Sequence, residues 1–219
     1  MAKPAASEHP SRLAFPVVLP AKARKLWTLL SAYPSLPSSY LAGGSGLALH
    51  LGHRRSDDLD FFSRRLFRPE LLARSLSALS TSEHLVMGHG SVEGWIEGLK
   101  VQFLFYPYRL LCPLYKTKCG PLADPQDIAL MKLIAIGQRG RKRDVVDLAC
   151  FLKAFPHTSL GELLELLPRK YGSVNRAHLL RSLTYFADAE SDPMPRMRWS
   201  LKWNEIKERL RGAVNEIFR

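Results

Sequence analysis

The sequence predicts an α+β fold, in which a mixed β-sheet flanked by helices is followed by a helical C-terminal half. Residues 40–51 read as a strand, a glycine turn and a helix, and residues 84–106 as short apolar runs separated by glycines. After residue 120 helical periodicity dominates. We therefore predict a loosely ordered arm over residues 1–20, a core over 21–120 and a helical region over 121–219.

The elements of the predicted core follow from apolar spacing and from the residues that break it. Apolar positions recur at helical spacing from Ala21 to Tyr33, and prolines 34 and 37 end that helix. Next come a short strand (Tyr40 to Ala42), a glycine turn (Gly43 to Gly46), a helical stretch (Leu47 to Leu51), a strand (Asp58 to Phe62) and a helix (Pro69 to Leu79). The glycine-separated runs up to Tyr106 predict antiparallel strands that complete the sheet.

The helical region begins with a clear start signal. Asp124 stands at the N-cap position, Pro125 at the first helical position and Asp127 in the first turn. Helices are predicted over Ile128 to Ile136, Arg141 to Phe155, Ser159 to Leu167, about 175 to 187 and Ser200 to Ile217.

The composition excludes a membrane-spanning protein and favours an anionic partner. Apolar residues make up 46% of the chain, and no run approaches the ~20 apolar residues of a membrane span. The 32 Lys and Arg outnumber the 20 Asp and Glu, so the formal net charge is +12, which favours nucleic acid or nucleotides as partners. Three cysteines without metal-ligand spacing are expected to be reduced, and residues 1–20 lack the apolar run of a signal peptide. A cytoplasmic location without membrane contact is expected.

The turn Gly43-Gly44-Ser45 is the first candidate binding element. A glycine turn that leads from a strand into a helix lets backbone N–H groups close around a phosphate, and the helix N-terminus favours negative charge. The same turn also serves in purely structural roles, and it fits neither the P-loop nor the dinucleotide-binding pattern.

Asp58 and Asp60 form the second candidate element. Residues two apart on a strand point to the same face, so the two carboxylates repel unless a cation lies between them. A divalent metal, Mg²⁺ or Mn²⁺, would meet that need and would hold the phosphates of a nucleoside triphosphate. The alternative is an exposed pair of acids screened by Arg54, Arg55 and Arg64.

The stretch from Leu41 to Phe62 resembles the AbiEii/AbiGii toxin family of nucleotidyltransferases. Its glycine turn, short helix and run Gly52-His53-Arg54-Arg55-Ser56-Asp57-Asp58-Leu59-Asp60-Phe61-Phe62 match that family's pattern. Segments beginning at Asp127, Arg143 and Leu183 resemble its later motifs.

The resemblance implies a polymerase-beta-like nucleotidyltransferase core and a helical C-terminal half. Relatives are toxins of abortive-infection or toxin–antitoxin systems, and some transfer nucleotides to the 3′ end of tRNA. Carried onto this chain, the resemblance implies that Gly44 and Ser45 hold phosphate and that Asp58 and Asp60 hold magnesium. It also implies a cognate antitoxin as a possible partner.

Residue 102 departs from the pattern of such enzymes, which usually place a third carboxylate on a later strand. Gln102 occupies the matching strand, and an amide cannot take a proton. Glu93 and Glu97 are predicted to share a face of the preceding strand, so either is a candidate replacement, and solvated strand charges are the alternative. A metal-activated hydroxyl needs no protein base.

Lys132 lies in a predicted helix that is apolar nearly all round, so its ammonium group needs a partner. We favour a triphosphate, with Lys132 in a catalytic role, over the alternative partners Asp144 and Asp147. Those two acids are three apart on the next helix and therefore share a face.

Arg139, Arg141, Lys142 and Arg143 place four cations in five residues between two helices. With Asp144 beside them, Arg139, Lys142 and Arg143 are candidates for binding the substrate's phosphates, and a solvated charge run is the alternative. His50 is predicted on a helix surface, and His53 in a turn with a hydrogen bond to the backbone.

Together, these residues and the resemblance predict a metal-dependent nucleotidyltransferase that transfers a nucleotide from a nucleoside triphosphate to RNA, with the 3′ end of tRNA as the candidate acceptor. One alternative is a catalytically silent nucleotide-binding or protein-interaction module on the same fold, which Gln102 favours. Another is a small-molecule nucleotidyltransferase, which the net charge of +12 disfavours.

Overall fold

The computed structural model describes residues 14–34 and 36–219. Its helices are α1 (Ala21–Ala32), α2 (Gly43–Leu51), α3 (Pro69–Leu79), α4 (Pro125–Arg139), α5 (Lys142–Ala154), α6 (Leu160–Tyr171), α7 (Arg176–Thr184), α8 (Ala187–Glu190) and α9 (Trp203–Glu216). Its strands are β1 (Tyr40–Leu41), β2 (Leu59–Ser63), β3 (Ser82–Gly88), β4 (Ser91–Ile96), β5 (Leu99–Phe105), β6 (Tyr115–Lys116) and β7 (Pro121–Leu122). The predicted α+β class is confirmed.

The strands of this part of the chain form one mixed sheet in the order β3-β4-β5-β2-β1-β7-β6. β2 runs parallel to β5 and antiparallel to β1, and β3, β4 and β5 form the predicted antiparallel meander. The register pairs Asp60 with Gln102 and Gln102 with Glu93, so these residues form one row across the sheet. The order of the strands therefore decides which polar side chains share a face.

The sheet separates two apolar cores. On one side, α1 and α3 pack through Leu26, Trp27, Leu72 and Leu76 on residues such as Phe61 and Phe103, whose rings are stacked 4.8 Å apart. On the other side, α2 packs with α4 to α7 and α9 around Leu47, Ile128, Val146, Leu163 and Leu210. The face of β2 and β5 that carries Asp60 and Gln102 belongs to this second side, where the candidate site lies.

The last residues of the predicted arm over 1–20 are packed against the core. Residues 1–13 lie outside the described residues, but Pro16–Val18 form a 3-10 helix. Val18 and Leu19 are buried in the core beside α1, and Phe15 packs against Gly52. Apolar burial orders this segment even though its sequence has no period.

The boundary predicted at residue 120 lies between β6 and β7, which pair with each other. β7 also pairs with β1, and the second core contains residues of both predicted regions, such as Leu47 and Val146. The division into two folding units stays a prediction.

Helix α4 carries the cap that the sequence predicts, because the Asp124 side chain accepts a hydrogen bond from Gln126 N at 2.8 Å. Asp127 does more than complement the helix dipole. It is fully buried, lies 2.5 Å from Lys170 Nζ on α6 and accepts hydrogen bonds from the backbone N–H groups of Leu111 and Cys112. The pair fixes the start of α4 against α6 and against the loop that follows β5.

None of the described helices is both long enough and apolar enough to cross a membrane.

Replacement of Lys170 by Ala leaves the Asp127 carboxylate buried without its cation. We expect the free energy of unfolding to fall by about 3–5 kcal/mol, the usual cost of breaking a buried ion pair from one side. Urea unfolding monitored by circular dichroism measures the loss. Arg169→Ala, at the exposed neighbouring position, is the matched control and should stay within about 0.5 kcal/mol. Equal stabilities of the two variants would contradict the role of the pair.

Candidate active site

Asp58 and Asp60 lie together on the wall of a cleft of about 560 Å³. Asp58 directly precedes β2, and its side chain is 41% exposed, whereas Asp60 lies within the strand. Burial and the neighbouring Asp58 carboxylate raise the pKa of Asp60. The nearest cation to Asp58 is Arg143, whose Nη1 is 3.7 Å from Asp58 Oδ2. The two carboxylates that the sequence pairs are therefore close together and only loosely neutralised.

The glycine turn forms the first turn of α2 and borders the same cleft through Gly43 and Gly44. The first N–H groups of a helix have no partner within it, and no side chain caps this helix. Gly43 has φ +62°, and a Cβ atom there would lie 2.5 Å from Asp60 Oδ2. Glycine is needed because the backbone passes directly against a carboxylate in the left-handed region.

Ser45 does not contact the cleft as the sequence predicts. Its side chain is buried, and its hydroxyl hydrogen-bonds to Ser56 Oγ at 2.8 Å and to the carbonyl oxygen of Asp58. The hydroxyl therefore holds the loop before β2 in place, which positions the Asp58 carboxylate. The predicted phosphate contact by this side chain is replaced by a positioning contact.

Lys132 reaches the cleft from α4, and its side chain is only 6% exposed. Its Nζ lies 2.7 Å from Asp144 Oδ1 and 2.7 Å from Asp147 Oδ2, both on α5. The partners are therefore the two carboxylates that the sequence analysis offers as the alternative, rather than the favoured triphosphate. Asp144 is itself buried and reaches Lys132 and Arg139.

Asp147 is the centre of a buried network, of which the sequence analysis offers only the contact with Lys132. Arg54 donates to both of its oxygens, from Nε at 2.6 Å and from Nη2 at 3.0 Å, and His53 Nε2 lies 2.8 Å from Oδ1. Burial opposes ionisation, but Arg54, Lys132 and His53 outweigh it and hold the pKa of Asp147 well below its ordinary value. His53 is thus buried against a carboxylate, which corrects its predicted place in a turn with a backbone partner. Arg54 screens Asp147 rather than the Asp58–Asp60 pair.

The cationic run between α4 and α5 is largely paired within the protein. Arg139 donates to both oxygens of Asp144 at 2.8 and 3.2 Å, and Arg141 pairs with Asp192 at 2.9 Å. Lys142 is buried, donates to the backbone carbonyls of Glu190 and Asp192, and lies 5.0 Å over the Trp203 ring. Lys142, predicted to bind substrate, does not border the cleft, and its ammonium group instead anchors the end of α8 and the segment after it.

The position of Glu97 does not suit it to replace the carboxylate that is missing at Gln102. It lies in the turn after β4 and accepts hydrogen bonds from Ser80 Oγ and Thr81 N, so it does not share a strand face with Glu93 as predicted. Glu93 does share the face of Asp60, but Gln102 stands between them in the row. Gln102 borders the cleft.

The cleft has a charged part and an apolar part. The charged part contains the glycine turn, the two aspartates, Lys132, Arg139 and Arg143. The apolar part is formed by side chains that follow Asp60 and Gln102 along the sheet or lie on α4, namely Phe62, Leu104, Tyr106, Tyr108, Met131 and Ile134. Tyr106 is fixed there by a hydrogen bond of 2.6 Å to the hydroxyl of Tyr171. One cavity therefore offers both a polar and an apolar wall.

A segment near the C-terminus closes one side of the cleft. Residues 193–196 border it, and Arg55 N donates to the carbonyl of Arg196 at 2.9 Å. The N–H groups of Arg198 and Trp199 donate to the carbonyl of His53 at 2.8 and 3.1 Å. We call residues 193–199 the strap. The sequence gives no local sign of this pairing, because the two segments lie about 140 residues apart.

Comparison with known proteins places the chain in a family. The sequence profile of the family described as "Nucleotidyl transferase AbiEii toxin, Type IV TA system" matches residues 121–216. An uncharacterised protein of Aquifex aeolicus is 35% identical over 181 residues, which cover 81% of this chain and 86% of that protein.

The chain belongs to the AbiEii nucleotidyltransferase toxin family. The family suspected from residues 41–62 is thus confirmed through the other half of the chain, which carries Lys132, Asp144 and Asp147. The nucleotidyltransferase and toxin assignments follow from this membership.

Solved structures show that this AbiEii-family protein has a nucleotidyltransferase fold. MenT4, a nucleotidyltransferase toxin from Mycobacterium tuberculosis, aligns with a TM-score of 0.58 at 14% identity, covering 87% of this chain and 80% of that one. A putative nucleotidyltransferase from Helicobacter pylori gives a TM-score of 0.53 at 18% identity and covers 90% and 92% of the two chains. JHP933 from the same organism gives 0.51 at 18% identity, with coverage of 91% and 93%.

Replacement of Gly43 by Ala should destabilise the site. A non-glycine residue in the left-handed region costs about 1–2 kcal/mol, and the added Cβ also displaces Asp60. We expect the melting temperature to fall by about 2–8 °C, measured by differential scanning calorimetry. Gly212→Ala is the matched control, because a Cβ at that helical position meets no atom within 4 Å and should raise the melting temperature. A stabilised Gly43→Ala protein would contradict the close approach to Asp60.

Replacement of Asp147 by Asn should change how stability depends on pH. The low pKa of folded Asp147 stabilises the protein above the ordinary value of 3.8, and this contribution is lost as the pH falls through the lower folded pKa. We expect wild type to exceed the variant by about 3 kcal/mol at pH 7, and the difference to shrink by about 1 kcal/mol between pH 4 and pH 3. Urea unfolding of both proteins at each pH measures this difference in the free energy of unfolding. Carboxylates that the two proteins share contribute nearly equally to both and largely cancel in the difference. A difference that does not change with pH would contradict the ionised network.

Proposed function

We propose that this AbiEii-family protein transfers a nucleotide from a nucleoside triphosphate to the 3′-terminal hydroxyl of an RNA, with tRNA as the expected acceptor. Support comes from the single cleft that combines a carboxylate pair, a glycine-rich helix N-terminus, cations and an apolar wall. This combination suits a nucleoside triphosphate, which has an apolar base and a highly charged tail.

Asp58 and Asp60 are suited to hold Mg²⁺ or Mn²⁺. Hard divalent cations take carboxylate oxygens, and Mg²⁺ is usually bound by one or two carboxylates and by substrate phosphates. Burial and Asp58 raise the pKa of Asp60, and a cation bound between the two carboxylates would stabilise their ionised forms. No cluster of three or more potential ligands occurs among the residues described, so phosphate oxygens would complete the coordination. When bound, the metal neutralises phosphate charge and lowers the pKa of the attacking hydroxyl.

The triphosphate would lie between the first turn of α2 and the cations of α4 and α5. Backbone N–H groups of Gly43 and Gly44 are suited to bind phosphate oxygens at a helix N-terminus. Lys132 and Arg139 pair with Asp144 and Asp147 on one side and act on the Asp60 carboxylate on the other, so both cations stand beside the proposed metal site. We assign Lys132 and Arg139 to neutralising phosphate charge and Asp144 to orienting both cations.

The base would pack in the apolar part of the cleft. Tyr106 and Tyr108 offer aromatic rings, and their centroids lie 4.9 Å apart in an edge-to-face arrangement. Stacking on aromatic rings tolerates any base, so this wall gives affinity for a nucleoside without selecting its identity.

In the reaction, the acceptor hydroxyl oxygen forms a bond to the α-phosphorus of the triphosphate. The bond from that phosphorus to the oxygen bridging the β-phosphate breaks, and pyrophosphate leaves with that oxygen. The proton of the hydroxyl passes to water, because Gln102 cannot accept it and Glu93 lies one strand beyond. The acceptor grows by one nucleotide, and blocking tRNA in this way would inhibit translation in the cytoplasm until a cognate antitoxin counters the toxin.

Replacement of Asp60 by Asn removes one of the two proposed metal ligands. We expect the rate of nucleotide transfer to total tRNA to fall at least about a thousandfold, in line with the loss of a metal that activates the nucleophile. The assay incubates purified protein with each labelled nucleoside triphosphate, Mg²⁺ or Mn²⁺ and tRNA, and follows label on the RNA. EDTA should have the same effect as the substitution.

Asp188→Asn is the matched control, since Asp188 is an exposed aspartate outside the cleft and should retain wild-type transfer. Nucleotide binding without transfer to any acceptor would support a silent module instead. Label on a small molecule but not on RNA would support a small-molecule nucleotidyltransferase. Either result would overturn the proposed function.

A further inference from the structure

A second groove of about 520 Å³ opens beside the candidate active site. It is lined by the segment from Pro16 to Ala21 and by Arg24, Arg55, Asp57 and Arg196. Arg55, Asp57 and Arg196 border both the groove and the cleft, so the two spaces adjoin at the residues just before β2. We call this space the arginine groove.

Backbone pairing between the strap and the residues before β2 builds the rim of the arginine groove. Arg55 N donates to the carbonyl of Arg196, and Arg54 and Met197 form an antiparallel bridge. Ser56 N donates to the carbonyl of Val18 at 3.1 Å, which attaches this rim to the floor. Arg55 and Arg196 therefore stand on two fixed, adjoining segments rather than on free loops.

Arg55 and Arg196 on this rim have more free charge than Arg139, Arg141 and Lys142, whereas Arg143 faces the Asp58 carboxylate at 3.7 Å. Arg55 is exposed, and its side chain has no ion pair within the described parts of the chain. The side chain of Arg196 is 78% exposed, and its one carboxylate neighbour, Asp57, is 3.7 Å away and also exposed. Arg139, Arg141 and Lys142, by contrast, are held by internal acceptors. Positive charge available to a ligand thus lies at the rim of the groove.

The direction of β2 sets the arginine groove apart from the apolar part of the cleft. Asp57 and Asp58 precede the strand, Asp60 follows, and Phe62 lies near its end, with Tyr106 bonded to Ser63 just beyond. A strand rises about 3.3 Å per residue, so the groove and the aromatic wall lie on opposite sides of the Asp58–Asp60 pair. A base bound at the wall leaves the groove free for a second ligand that reaches the same carboxylates.

We propose that the arginine groove binds the single-stranded 3′ end of the acceptor RNA and guides its terminal hydroxyl to Asp58 and Asp60. This inference rests on the proposed function, whose acceptor it locates. Arginines contact backbone phosphates, and an apolar floor that includes the exposed Val17 suits the sugars and bases of a single strand. The terminal hydroxyl would enter from the side opposite the bound base.

The test is the double variant Arg55→Gln/Arg196→Gln, assayed by steady-state transfer of labelled nucleotide to total tRNA. We expect the KM for tRNA to rise about tenfold and to rise more than the KM for the nucleoside triphosphate. In equilibrium binding to tRNA, the slope of log K against log salt should become less negative by about 1.4, or about 0.7 for each lost single-strand phosphate contact.

Arg68→Gln/Arg74→Gln is the matched control, because it removes the same two charges from exposed positions at α3, which packs on the other face of the sheet. Its KM for tRNA should stay within about twofold of wild type, as expected for a charge effect without contacts. Equal effects of the two double variants would show that only the net charge of the protein matters. That result would overturn the proposal that the groove binds the acceptor RNA. A larger change in the KM for nucleotide than for tRNA would assign the arginines to the triphosphate and would also overturn it.

Different results would contradict the proposed transferase function and the proposed acceptor groove. Wild-type protein that labels tRNA, with a double variant of unchanged KM for tRNA, would overturn the groove and leave the transferase standing. Wild-type protein that binds nucleotide with Mg²⁺ but labels no RNA would overturn the proposed function, and the acceptor groove with it.

Discussion

The carboxylate of Asp147 joins three parts of the chain inside the protein. Its oxygens pair with Lys132 on α4 and Arg54 before β2 and lie 2.8 Å from Nε2 of the adjacent His53, while Asp147 itself belongs to α5. Because a buried carboxylate without such partners would be costly, these contacts stabilise the packing of the three segments against one another. The loop that ends in Asp58 is thereby fixed to the helices that carry the cations. The candidate site depends on this connection, since its carboxylates and its cations come from different halves of the sequence.

The same network links the strap to the site. The backbone of His53 accepts two hydrogen bonds from the strap, and Lys142 holds the segment just before it through the carbonyls of Glu190 and Asp192. A residue that the sequence suggests as a substrate ligand is thus an anchor for the wall of the cleft. The cationic face that we propose for an acceptor therefore lies at Arg55 and Arg196, whose side chains are exposed, rather than at the α4–α5 junction. Burial, rather than the density of charge along the sequence, decides which cations a ligand can reach.

Local signals were sufficient for much of the fold and for the carboxylate pair. The Asp124 cap, Pro125 and the proline-bounded helices act over a few residues, and Asp58 and Asp60 are two residues apart, so their shared face follows from strand geometry. The contacts that the sequence analysis missed join residues far apart in the sequence. His53 and Asp147 are 94 residues apart, and Ser45 finds Asp58 only after β2 folds back beside α2. Val18 and Leu19 were assigned to a loose arm because three-dimensional burial, and not a periodic pattern, orders them.

The central claim is that Asp58 and Asp60 hold a divalent cation that binds a nucleoside triphosphate. Calorimetric titration with a non-hydrolysable triphosphate analogue, in Mg²⁺ and in EDTA, tests it for wild type and for Asp58→Asn. We expect wild type to bind at least about tenfold more tightly with Mg²⁺, a gain of about 1.4 kcal/mol, and the variant to lose that gain. Equal affinities of wild type in Mg²⁺ and in EDTA, or an unchanged Mg²⁺ gain in Asp58→Asn, would contradict the account.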